Sequence, residues 1–110
     1  MVKQIHFHQC KGRILPLCQI NARLVDVAER NALEIKHWVE DGLGRHRGFI
    51  VKTPSGAVAK LSESLEHPEF HIGVELDELE IVEFGSEKIV VSLIDSLGLH
   101  ISQVSWRRAS

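Results

Sequence analysis

A chain of 110 residues, 44% apolar and 25% charged, has the make-up of an ordinary folded protein, which argues against a disordered or fibrous one and leads us to expect a single domain over residues 1–110. No apolar stretch approaches the roughly 20 residues of a bilayer span, and the first residues lack a secretory hydrophobic run, so the expectation is a cytoplasmic protein with no membrane contact. The net charge of −2 is unevenly spread: residues 1–60 carry a balance of +5 and residues 61–110 one of −7, so the halves either neutralise each other in the fold or offer an acidic surface to a partner.

In chain order, Val2 to His8 alternates in polarity, with Ile5 and Phe7 on one side and Gln4, His6 and His8 on the other, the period of a half-buried strand. Cys10 to Arg13 reads as a turn. Ile14 to Ile20 is apolar but contains Pro16, which cannot donate to a ladder, so it is predicted as an edge strand or connector.

From Asn21 to Asp41 the pattern becomes helical. Val25, Ala28, Ala32, Ile35 and Val39 fall on one stripe widened by Leu24 and Trp38, with Asn21 or an Asp26/Glu29 capping box at the start and Gly42 and Gly44 at the end. Leu33, Ile35, His37 and Val39 also alternate as a strand would, but the Ala, Glu, Arg, Leu and Lys content favours the helix.

Gly48 to Thr53 and Ala57 to Leu61 flank Pro54-Ser55-Gly56, the clearest hairpin signal in the chain. Ser62 to Pro68 is predicted as a polar loop and Phe70 to Leu76 as a strand, with a second strand over Leu79 to Phe84. Ser86 to Leu97 places Ile89, Val90, Leu93, Ile94 and Leu97 on one helical face, with Ser86 suited to the N-cap and Gly98 to the C-cap. Leu99 to Trp106 returns as a strand.

The predicted fold is therefore α+β: an antiparallel-rich sheet with two helices on one face, loosely ferredoxin-like (β-α-β-β-α-β) with extra strands. Such a sheet leaves its other face open, and apolar area there favours self-association.

Seven histidines invite a search for metal sites. His6, His8 and Cys10 alternate, so on a strand two imidazoles and a thiol face one side and suit zinc, with Cys18 or His100 as a distant fourth ligand. The competing reading makes them the polar side of a strand whose apolar side is Ile5 and Phe7. His67 and His71 resemble a metal-binding pair only superficially, because Pro68 stands where a metalloprotease helix needs glutamate.

Gly42-Leu43-Gly44-Arg45-His46-Arg47-Gly48 suits an anion, since glycines let successive N–H groups converge while Arg45, His46 and Arg47 supply charged donors; the plainer reading is a helix-terminating loop with solvated arginines. Nucleic-acid binding is not favoured by a chain of pI near 6.4 without tyrosine. No nucleophile elbow or protease-like cysteine is present, and the alternating glutamates of 75–83 resemble the wet face of a strand, so no catalytic residue is assigned. Trp106, beside Arg107 and Arg108, is an interface anchor if exposed.

These readings favour a small non-enzymatic binding protein that self-associates, most simply as a homodimer. The alternatives are a metal-dependent protein or enzyme using His6, His8 and Cys10, and a phospho-ligand binder using Arg45, His46 and Arg47.

Overall fold

The computed structural model describes residues 2–6, 12–42, 44–67 and 71–106. Their strands are β1 (Lys3–Ile5), β2 (Ile14–Ile20), β3 (Lys36–Glu40), β4 (Gly44–Lys52), β5 (Val58–Ser64), β6 (Ile72–Asp77) and β7 (Val104–Trp106). The helices are α1 (Leu24–Arg30), α2 (Glu78–Phe84) and α3 (Ser86–Ser96), with a 3₁₀ turn at Ile101–Gln103. The fold is α+β. Every strand pairing is antiparallel, in the order β1-β4-β5-β6-β2-β7, and β3 joins the same sheet through β4.

The β4–β5 hairpin closes as its sequence predicts. The Thr53 N–H donates to the Ala57 carbonyl at 2.8 Å, the Gly56 N–H donates to the Thr53 carbonyl at 2.9 Å, and Gly56 takes a φ of +99° that an L side chain resists. Two strands use successive stretches of β4: β3 pairs with Gly44–Gly48 and β1 with Ile50–Lys52. Pro16 sits at a register shift in β2, and β7 pairs only with Cys18–Ile20, so the ring occupies a stretch that β7 does not cover.

The predicted helix over Asn21–Asp41 is corrected. Only Leu24–Arg30 is helical, Arg23 occupies the N-cap without a side-chain bond, and Lys36–Glu40 is a strand. Beyond the C-cap Asn31 the chain turns at Ala32, whose φ is +54°, with the Leu33 N–H reaching back to the Ala28 carbonyl at 2.8 Å and the Ala32 N–H to that of Glu29 at 3.3 Å. Leu33 and Ile35 then pack against the core, and five cross-strand pairs with β4 outweigh the helical preference of residues 31–40.

Residues 79–84 are corrected too, from strand to helix. Asp77 ends β6 and caps α2, its carboxylate accepting from the Leu79 N–H at 2.9 Å, and Glu78 and Glu80 stand in the first turn, where the helix dipole favours negative charge. The segment after α3 divides between the 3₁₀ turn and β7, and Ser62–Ser64 extends β5 where a loop was expected. The helix at Ser86 does form, with Gly85 rather than Ser86 at its N-cap; it stops at Gly98, φ +74°, through the same paired backbone bonds seen after α1.

Alternation along the strands sorts the sheet into two faces. Phe49, Val51, Leu61, Val74 and Ile20 point to the side covered by α1 and α3, where they meet Leu24, Val27, Ile89, Val90 and Leu93 in one buried core. Gly48, Ile50, Lys60 and Glu75 point to the other side, which none of the described helices covers.

Candidate functional site

The uncovered face is hollowed. A cavity of about 470 Å³ has apolar walls from Ile5, Ile14, Trp38, Ile50 and Val58, with Lys36, Lys60, Glu40, Glu75 and Asp77 among its polar groups. Gly48 lies in its floor, where a Cβ would collide with the Leu61 carbonyl and the Ser62 Cα of the neighbouring strand. A second hollow of about 320 Å³ shares Glu40 and Glu75 with the first, so the depression continues along the face.

Trp38 is the centre of a polar cluster built by β3, β4 and β5. Its Nε1–H donates to Glu40 Oε1 at 3.0 Å, and its ring stacks on His46, opposite it in β4, with centroids 6.1 Å apart and planes 16° from parallel. Lys60 Nζ stands 4.7 Å from the Trp38 ring centroid and 3.5 Å from Glu40 Oε1, so one ammonium is held by an aromatic face and a carboxylate together. The Trp38 donor, followed by the positive charges of Lys60 and His46, holds the Glu40 carboxyl below the ordinary value.

Arg45, His46 and Arg47 lie within β4, not in a loop, and alternation divides them between the faces. Arg45 pairs with Glu66 through Nε at 2.9 Å, and Arg47 pairs with Glu63 through Nε at 2.5 Å, while His46 turns to Trp38 on the opposite face. The three side chains are therefore not brought together. Arg45 also holds the Glu66 carboxyl below its ordinary value by side-chain and backbone hydrogen bonds.

Of the proposed metal ligands, His6 is exposed just beyond β1, and His8 and Cys10 lie outside the described residues. Cys18 is a free thiol buried on the core side of β2, where loss of solvent pushes it up to about 11. His100 caps the 3₁₀ turn, its Nδ1 accepting from the Ser102 N–H at 3.1 Å. Among the described residues no group of three or more His, Cys, Asp or Glu side chains is placed to hold a metal ion, and no helix is long and apolar enough to cross a membrane.

The Trp38 cluster is the feature that the helical reading of 21–41 concealed. Its signal was the alternation Lys36, Trp38, Glu40 before a Gly42/Gly44 turn, which places the three on one strand face.

The margin of the hollow carries a second feature. Asp77 lines the cavity and starts α2, whose Ile81 and Phe84 pack inward while Leu79 (50% exposed) and Val82 (83%) face out among glutamates. The chain matches no protein-family model, no curated protein and no solved structure.

Proposed function

We propose that this chain is a non-enzymatic binding protein that self-associates, with α2 of each copy docking in the open-face hollow of the other. The observation that carries this reading is complementarity within one chain. The hollow has apolar walls, with Lys36 and Lys60 offset by Glu40, Glu75 and Asp77, so the match is an apolar one: α2 presents Leu79 and Val82 outward beside the mouth of the hollow. Because Asp77 belongs to both, a two-fold axis beside it brings each helix to the other copy's hollow, and the same contact is made twice. Burying a side chain as exposed as Val82 contributes about 1.5–3 kcal/mol per copy. The reading keeps the chain in the cytoplasm, where the free Cys18 thiol is at home.

Sedimentation of the native chain across micromolar concentrations tests this. We expect a dimer that dissociates when Val82→Glu removes the apolar contact, and also when Ile14→Asn places a polar side chain at the hollow. Both positions are exposed, so both variants should keep the native circular dichroism spectrum, with a melting midpoint lowered only by the lost association. Mixing the two monomeric variants should restore a weaker 1:1 dimer, because one of its two contacts is intact. A strict monomer at several hundred micromolar, or a dimer indifferent to both substitutions, defeats the proposal.

A further inference from the structure

The helix-covered side of the sheet has its own cavity, of about 720 Å³, at the end where β4 begins and β5 finishes. Arg23, Arg30, Arg47 and His71 contribute positive or protonatable groups to its wall, against the carboxylates of Asp26 and Glu63. Leu24, Val25, Leu65 and Leu99 make much of the remainder apolar.

The guanidinium groups are held differently. Arg47 is half-buried and oriented by its bond to Glu63, and Arg30 Nη1 donates to the Gly98 carbonyl at 3.0 Å. Arg23 is 81% exposed, with Asp26 no nearer than 4.0 Å, so its guanidinium is positioned loosely enough to swing onto a ligand. Three guanidinium groups against two carboxylates leave the cavity positive even with His71 neutral. Rigid and mobile forked donors around an apolar wall suit a doubly charged anion on an apolar body better than a neutral ligand.

We infer that this cavity is a binding site for a small phosphate monoester, with Arg47 as the fixed donor and Arg23 as the closing one. It lies on the opposite face of the sheet from the proposed dimer contact, and neither reading depends on the other. A phosphate monoester carries close to two negative charges at neutral pH, which is what separates it from a carboxylate here.

Phenyl phosphate is the probe. Titrated into the isotope-labelled native chain, it should give saturable shifts at the Arg23 and Arg47 Nε–H resonances and raise the melting midpoint, with benzoate weaker and phenol without effect. Arg23→Gln should weaken binding by about tenfold, the scale of one lost charge-assisted bond, whereas Arg13→Gln, at the other end of β2 beside Glu78 and outside the cavity lining, should not change it. Arg47→Gln should weaken it further; should that variant unfold, the exposed Arg23 site still decides. No saturable binding of phenyl phosphate, equal binding of benzoate, or an Arg23→Gln variant that binds as the native chain does overturns the assignment.

Discussion

Glu40 does two things with one carboxylate: it accepts the Trp38 indole N–H and faces the Lys60 ammonium. Both partners favour the ionised form, so the folded carboxyl sits below its ordinary 4.5. A depressed carboxyl contributes stability that is present above the unfolded value and is lost as pH falls through the folded one. The Trp38–Glu40–Lys60 arrangement should therefore hold at neutral pH and loosen in acid below about pH 4.5. Because the exposed Trp106 emits as well, the measurement needs the Trp106→Phe background, in which indole emission reports the half-buried Trp38 alone. We expect a single acid titration of that emission, which Glu40→Gln abolishes. A titration that persists in Glu40→Gln assigns it to another group.

At the level of elements, the two helix ends make a natural comparison. α1 and α3 stop through the same backbone pattern, with a left-handed residue just beyond the C-cap, but α3 uses Gly98 at φ +74° where α1 uses Ala32 at φ +54°. An alanine Cβ in that conformation costs on the order of 1 kcal/mol, so Ala32→Gly should stabilise the protein by about that amount in urea unfolding, and Gly98→Ala should destabilise it by a similar one. The added Cβ at Gly98 meets Arg30 Cδ at 3.5 Å, an ordinary contact, so the backbone alone sets the cost. If Ala32→Gly destabilises, the left-handed end of α1 is refuted.

The same alanine explains what could be read in advance. The β4–β5 hairpin and α3 were legible because their turn and cap residues, Pro54-Ser55-Gly56 and Gly98, are of the types that these conformations demand. The end of α1 was hidden because Ala32 looks like a helix former, and Ala28, Ala32, Ile35 and Val39 keep the helical spacing while Ile35, His37 and Val39 keep that of a strand. What decided between them was pairing with Gly44–Gly48, a contact that local pattern does not encode. α2 was hidden for the opposite reason: Leu79, Glu80, Ile81, Val82 and Glu83 alternate loosely, and the cap that makes them helical is Asp77, whose burial at the end of β6 only the sheet reveals. The open sheet face was legible from the count of helices, but the Trp38 cluster within it depended on the strand that was missed.

For the molecule as a whole, three of the six ion pairs among the described residues join the unevenly charged halves, and the other three lie within the basic one. Arg13–Glu78, Arg45–Glu66 and Arg47–Glu63 each join a base from residues 1–60 to an acid from residues 61–110. These bonds differ in worth because their solvent exposure differs. Arg45 and Glu66 are 67% and 40% exposed, where water and salt compete well with the ion pair, whereas Arg47 and Glu63 are 30% and 19% exposed and fixed between neighbouring strands. Removing one partner of the second pair leaves a half-buried guanidinium without its acceptor. Glu63→Gln should therefore cost about 1–2 kcal/mol in urea unfolding at neutral pH. Glu66→Gln should leave stability within experimental error, and raising the salt concentration should weaken the Arg45 pair more than the Arg47 pair. Equal effects of the two glutamine substitutions would show that solvent exposure does not set the worth of these pairs.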